Sequence, residues 1–155
     1  MAKRKSENAA AAYMQMMRLF MRVSAEWTNA AADSLGINAT DLIAATYLVD
    51  AGPMTAGELA KVMDITTGAM TIAIDRLVQA GFAIRENDPQ DRRKVIVKSL
   101  ELPAKLLAMR KSIEKQLHKI FSHYTDAELL QMRTLTQQVT EVFEKEIFQL
   151  KRSQR

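Results

Sequence analysis

The stretch "ENDPQDRRKVIV" (residues 86–97) joins a crowded group of charges to a run of β-branched residues. Asn87, Asp88 and Pro89 are typical turn formers, and the segments on either side of them are "FAIRE" and "KVIVK". This pattern predicts a two-stranded β-hairpin with the charges at its turn. No other part of the chain has the pattern of a strand.

Two short helices are predicted directly before the hairpin. "TAGELAKVMD" begins with a Thr-x-x-Glu capping box, and its predicted inner face consists of Leu59, Val62 and Met63. "ITTGAMTIAIDRLVQAG" has Thr66 or Thr67 as its cap. Its apolar residues at helical spacing are Ala69, Ile72, Ala73 and Leu77. Two closely joined helices followed by a hairpin predict a winged helix-turn-helix.

Longer helices are predicted on both sides of this lobe. An apolar stripe runs through residues 8–35 and ends at Gly36, and a further helix begins at Asn38 or Thr40. After the hairpin, one helix opens at Pro103 and another at Thr125. The predicted fold is mainly α: three helices and a two-stranded wing in residues 36–100, between long helices in residues 1–35 and 101–155.

Composition narrows the function classes. A chain of 155 residues with 48% hydrophobic residues is the size of one globular domain, and no apolar run approaches the roughly 20 residues that cross a bilayer. The absence of cysteine excludes disulfides and thiolate metal sites and fits a cytoplasmic protein. His118 and His123 lack a third ligand at metal-binding spacing. Without a nucleophile–base pair or a glycine-rich phosphate loop, neither an enzyme nor a cofactor is expected.

The start of the second helix and the hairpin turn carry the candidate DNA contacts. The helix offers Thr66, Thr67, Met70 and Thr71 to base edges, and Arg76 to a phosphate. Ordinary helix capping is the alternative role of the threonines. In the turn, an arginine fits a narrow minor groove, and Asp91 lies on the same face of an extended strand as Arg93. A solvated charged loop is the alternative there.

Residues 54–97 resemble the MarR family of winged-helix transcriptional regulators. The resemblance is carried by Asp-Pro-x-Asp-Arg-Arg followed by Val-x-Val, and by Gly-Ala-x-Thr and Asp-Arg-Leu-x-x-x-Gly. It implies that Arg93 reaches the minor groove, that Asp91 orients it, and that Arg92 and Lys94 contact phosphate. Ile72 departs from the family, which often carries arginine there.

The resemblance also implies an obligate homodimer, with the long helices of residues 1–35 and 101–155 as dimerisation helices, and a small aromatic or amphipathic effector. The candidate effector residues are Tyr13, Met17, Phe20, Trp27 and Tyr47; plain core packing is their alternative role. The chain is therefore interpreted as a repressor that binds a pseudo-palindromic site on double-stranded DNA. The alternative is a winged-helix protein-interaction module, which the seven basic and six acidic residues in residues 53–98 support.

Overall fold

The computed structural model describes residues 2–89, 91, 94–100 and 104–153, with helix side chains from residue 8 onward. Its elements are α1 (Ala2–Leu35), α2 (Ala39–Asp50), β1 (Met54–Thr55), α3 (Ala56–Met63), α4 (Thr67–Gln79), β2 (Ala83–Asn87), β3 (Val95–Ser99), α5 (Ala104–Phe121) and α6 (Asp126–Ser153). They form two compact units, residues 1–107 and 108–155. The first unit contains the helix-turn-helix α3–α4 and the wing β2–β3, which confirms the mainly α winged-helix fold.

Side-chain caps determine where the helices of this unit begin. Asn38, not Thr40, caps α2, and its Oδ1 accepts the Asp41 N–H at 2.9 Å. Thr55 and Glu58 form the predicted capping box of α3: the Thr55 N–H donates to Glu58 Oε2 at 2.7 Å, and the Glu58 N–H donates to Thr55 Oγ1 at 3.2 Å. Each cap satisfies a backbone donor that has no partner within its helix.

A glycine turns the chain from α4 into the wing. Gly81 has a φ of 76°, a conformation that is strained for residues with a side chain. Beyond it, the Phe82 N–H donates to the Leu77 carbonyl at 2.8 Å, the bond that closes a Schellman motif. A short, hydrogen-bonded turn therefore joins β2 to α4, the second helix of the helix-turn-helix, which we call the recognition helix.

The wing belongs to a three-stranded antiparallel sheet of order β1-β3-β2. β2 and β3 pair from Ala83 opposite Ser99 to Asn87 opposite Val95. β1 lies along the other side of β3, with Met54 opposite Val97. This third strand was not predicted, because a two-residue strand is too short to show a period of two.

The core of the first unit lies between α2, α3, α4 and the sheet. Its buried side chains are Ala44, Ala45, Leu48, Leu59, Ala60, Met70, Ala73, Ile74, Leu77, Phe82, Ala83 and Val97. Three predicted inner residues are instead on the surface: Ala69 is exposed, Val62 is 52% exposed and Ile72 is 58% exposed. In a helix as short as α4, two neighbouring sets of residues both satisfy spacings of three and four, so periodicity alone does not identify the buried face.

The helices α1 and α6 leave most of their large apolar side chains exposed. In α1 these are Tyr13, Met14, Met16, Leu19, Phe20, Met21, Val23 and Trp27. α6 has no buried residue within Asp126–Ser153, and its exposed apolar side chains are Leu130, Met132, Leu135, Val142, Phe143, Ile147, Phe148 and Leu150. Apolar surface on this scale typically marks an interface. None of the helices in the described part of the chain is long and apolar enough to cross a membrane.

Candidate nucleic-acid interface

The outer face of α4 is the part of the helix-turn-helix that is free to meet a groove. Successive helical residues are about 100° apart, so Gly68, Ile72 and Asp75 lie opposite the buried face. All three are exposed. Thr71 and Arg76 lie on the two sides of this face. We call Gly68, Thr71, Ile72 and Asp75 the outer face of α4.

Met70 does not belong to this face. It is 0% exposed and packs in the core with Ile74 and Leu77. The prediction that Met70 touches a base edge is therefore corrected. Met70 follows the outward Gly68 and Ala69, and the rotation of α4 that buries Leu77 also turns Met70 inward.

The threonines at the start of α4 make hydrogen bonds within the helix. Thr66 is the cap, and its Oγ1 accepts the Ala69 N–H at 3.2 Å. The Thr71 hydroxyl donates to the Thr67 carbonyl at 2.8 Å. Capping is thus a role that Thr66 performs in the structure. Thr67 and Thr71 are both exposed beside the outer face, and their contact with DNA stays a prediction.

Arg76 makes an ion pair that the sequence did not predict. Its Nε donates to Asp41 Oδ2 at 2.8 Å, and its Nη2 donates to Asp41 Oδ1 at 2.6 Å. The Asp41 side chain is 1% exposed and that of Arg76 is 44% exposed, so a buried carboxylate is paired with an arginine that is partly exposed at the surface. These hydrogen bonds raise the pKa of the Arg76 guanidinium. An acidic residue within the otherwise apolar stretch "DLIAATYLV" was the available signal that a basic partner lies against α2.

A second ion pair lies on the other side of α4. Arg85 of β2 donates through Nη1 to Asp75 Oδ1, and its Nη2 lies 3.5 Å from the Thr71 carbonyl. The recognition helix is therefore held to α2 on one side and to the wing on the other. Bidentate arginine pairs fix geometry as well as charge, and the Arg76–Asp41 pair has that form.

The hairpin turn brings Asp88, Asp91 and Lys94 together. The Asp88 N–H donates to the Lys94 carbonyl at 2.9 Å, and the Lys94 N–H donates to the Asp91 carbonyl at 2.8 Å. Asp91 is half-buried and Lys94 is exposed. The predicted contacts Arg92 and Arg93 lie outside the described residues. Backbone hydrogen bonds thus join Lys94 to both Asp88 and Asp91.

The candidate effector residues lie mainly on α1. Tyr13, Phe20 and Trp27 are exposed, and Met17 is half-buried, all along one stripe of α1. Tyr47 is exposed on α2. The open surface depressions lined by α6 side chains, such as Glu128 and Gln138, contain none of these residues. Effector binding stays a prediction.

The described residues also bear on metal binding. Among them, no three histidine, cysteine, aspartate or glutamate side chains lie close enough to hold a metal ion. His118 lies 4.0 Å from Glu114, one turn earlier on the exposed surface of α5. An isolated pair of this kind is an ordinary helix-surface contact.

The known proteins that this chain is similar to are helix-turn-helix transcriptional regulators and members of the MarR family. The model of the MarR family matches residues 46–95. The uncharacterized HTH-type transcriptional regulator YcgE of Bacillus subtilis is 37% identical over 123 residues, 79% of this chain and 80% of that protein. Apo wild-type MarR from E. coli is 25% identical with a TM-score of 0.58, over 81% of this chain and 93% of that one. A MarR family protein from Bacillus stearothermophilus shares the fold at 19% identity, with a TM-score of 0.64 over 89% of this chain and 97% of that one.

Proposed function

Because this chain belongs to the MarR family of transcriptional regulators, we propose that it binds double-stranded DNA in a sequence-specific manner. The observation that carries the proposal is the exposed outer face of α4 directly beside the β2–β3 wing. In a winged helix-turn-helix, such a helix enters the major groove while a neighbouring segment reaches the backbone or the minor groove. Arg93, oriented by Asp91, is the proposed minor-groove contact, with Arg92 and Lys94 on phosphates.

The proposal includes a homodimer. The exposed apolar stripes of α1 and α6 support this, since a second copy of the chain would cover them. A two-fold dimer reads a pseudo-palindromic site whose half-sites lie about one helical turn, roughly 34–36 Å, apart. Residues outside the wing lobe would then set the spacing of the two recognition helices.

We further propose that the regulator is a repressor that responds to a ligand. The aromatic side chains of Tyr13, Phe20 and Trp27 on α1, with Tyr47 on α2, support a small aromatic or amphipathic effector. An effector shifts the dimer only to the extent that it binds one arrangement of the recognition helices more tightly than another. Binding or release of the effector would change how well the two recognition helices of the dimer fit the spacing of the half-sites.

The test is salt-dependent DNA binding. Duplexes are selected from a random library with the purified full chain, and their affinity is measured by fluorescence anisotropy at several salt concentrations. We expect log affinity to fall steeply with log salt, by about 0.9 per neutralised phosphate, and a scrambled duplex to bind more weakly. If no duplex binds in a salt-sensitive way at low ionic strength, that result would contradict DNA binding and favour the alternative of a protein-interaction module. The alternative is supported by the balanced charge of residues 53–98.

A further inference from the structure

The outer face of α4 presents an aliphatic side chain at its centre. Ile72 is 58% exposed, in the second turn of the recognition helix. Helical side chains lean towards the N-terminus of their helix, so the Ile72 side chain lies towards Gly68, four residues earlier. Gly68 has no side chain, and a Cβ added there would meet nothing within 4 Å. The methyl groups of Ile72 are therefore uncovered from the direction of an approaching groove.

The polar groups around Ile72 are largely engaged within the protein. The Thr71 hydroxyl hydrogen is donated to the Thr67 carbonyl at 2.8 Å, which leaves the Thr71 methyl group on the surface. The Asp75 carboxylate accepts a hydrogen bond from Arg85. The exposed hydroxyl groups that remain belong to Thr66 and Thr67, at the start of the helix rather than at the centre of its outer face.

None of the four residues of this outer face is basic, and the Arg85 guanidinium of β2 that lies against it donates to Asp75 and lies 3.5 Å from the Thr71 carbonyl. On α4 the sole lysine or arginine is Arg76, which lies to the side and is paired through two hydrogen bonds with Asp41. Guanine is read in the major groove chiefly by lysine or arginine donors to O6 and N7, whereas thymine offers a 5-methyl group that apolar side chains contact. The chemistry of the face therefore suits thymine better than guanine.

We infer that Ile72 is a specificity-determining residue that packs against the 5-methyl group of a thymine in the major groove. The lobe then selects A·T base pairs at that position through methyl contact, not guanine through hydrogen bonds. This inference rests on the proposed function, since it needs α4 to enter the major groove of duplex DNA. It assigns to Ile72 a positive role in recognition.

Deoxyuridine is the chemical probe of this contact, because it pairs with adenine as thymidine does but lacks the 5-methyl group. A duplex selected by the wild-type chain is remade with deoxyuridine replacing single thymidines in each half-site. Loss of one buried methyl contact weakens binding about fourfold, and loss in both half-sites about sixteenfold. Affinities are measured at one fixed salt concentration.

Protein variants assign the methyl contact to a residue. Ile72→Ala should lower affinity for the thymidine duplex about fourfold and show no further loss on the deoxyuridine duplex. The matched control is Val62→Ala, another β-branched residue on the helix-turn-helix surface, 52% exposed on α3; it should keep the full thymidine-to-deoxyuridine ratio. Circular dichroism checks that each variant folds. Both variants are expected to fold, because both side chains are exposed.

The outcomes separate this inference from the proposed function. Equal binding of thymidine and deoxyuridine duplexes by the wild-type chain overturns the inference, as does an unchanged ratio in the Ile72→Ala variant. Selected sites that depend instead on guanine N7, shown by loss of binding with 7-deazaguanine opposite α4, also overturn it. Failure of every duplex to bind in a salt-sensitive way overturns the proposed function itself.

Discussion

A carboxylate buried in an apolar core destabilises a fold unless its charge is paired and hydrogen-bonded. Asp41, which is the buried charged residue of the described chain, meets this condition through the two hydrogen bonds from Arg76. The pair joins residues 35 positions apart in the sequence and links α2 to the recognition helix. Its rigid bidentate geometry limits how far α4 can rotate about its own axis.

Removing Arg76 should therefore destabilise the lobe more than removing a surface lysine. Arg76→Ala leaves the Asp41 oxygens without their donors, and we expect the free energy of unfolding to fall by about 1–3 kcal/mol. The matched control is Lys98→Ala, which breaks the exposed pair with Glu86 at 3.2 Å and should cost less than about 0.5 kcal/mol. Urea unfolding measures both. Equal effects of the two variants would show that the Arg76 pair contributes no more than a surface contact.

At the wing, the proposed contribution of Arg93 to DNA binding can be measured separately from its contribution to folding. Arg93→Ala should weaken binding of the selected duplex strongly and leave the urea midpoint nearly unchanged, because substituting a charged turn residue usually changes stability by less than about 0.5 kcal/mol. Asp91→Ala should also weaken binding, although it removes a negative charge, if its carboxylate orients Arg93. Arg133→Ala on α6 is the control for loss of one positive charge. Tighter DNA binding by the Asp91 variant would rule out the orienting role.

At the scale of elements, the cap of α3 couples stability to pH. The backbone hydrogen bond that Glu58 accepts from the Thr55 N–H, together with the bond to the Thr55 side chain, lowers the pKa of Glu58 below its ordinary 4.5. Because this folded-state pKa is depressed, the ionised carboxylate stabilises the fold at pH values above the unfolded-state pKa. The stabilisation is lost as the pH falls through the folded-state value.

Glu58→Gln should accordingly lower the free energy of unfolding relative to the wild type at neutral pH. The difference should shrink as the pH falls below the ordinary glutamate value of 4.5, because the wild-type side chain then becomes protonated. Urea unfolding between neutral and acidic pH measures it. In a Thr55→Ala background the pH dependence of the Glu58→Gln difference should become smaller but persist, because the side-chain hydrogen bond is lost while the backbone N–H of residue 55 still donates to Glu58. A difference that is constant across this range would show that the capping box does not set the pKa.

Local signals located the helices and the hairpin, and long-range contacts account for what they missed. Thr55, Asn38 and Gly81 act within a few residues of themselves, so their roles were readable in sequence. The buried face of α4 depends on how α2 and the sheet meet it, and Ile72 was accordingly assigned to the wrong side. The Arg76–Asp41 pair spans 35 positions, beyond any local pattern.

For the whole molecule, the apolar stripes of α1 and α6 are the feature that one copy of the chain does not account for. Large exposed apolar patches are rare on soluble monomers. Most of the exposed apolar side chains of α6 lie on one side of the helix and include Leu135, Val142 and Phe143, while the other side carries mainly polar residues such as Thr134 and Glu141, together with Leu130 and Phe148. A two-fold interface would bury the first set and leave the second in water.

That asymmetry allows a matched test of dimerisation with two adjacent residues of α6. Leu135→Glu places a charge on the apolar side and should shift the chain from dimer towards monomer in light scattering at micromolar concentration, since an unpaired charge at an interface is costly. Thr134→Glu introduces the same charge on the polar side and should leave the mass unchanged. In the proposed dimer two recognition helices bind one operator, so the Leu135 variant should also lose affinity for a palindromic duplex more than for an isolated half-site. A wild-type chain that is a folded monomer at these concentrations would contradict the dimer, and with it the proposed reading of a pseudo-palindrome.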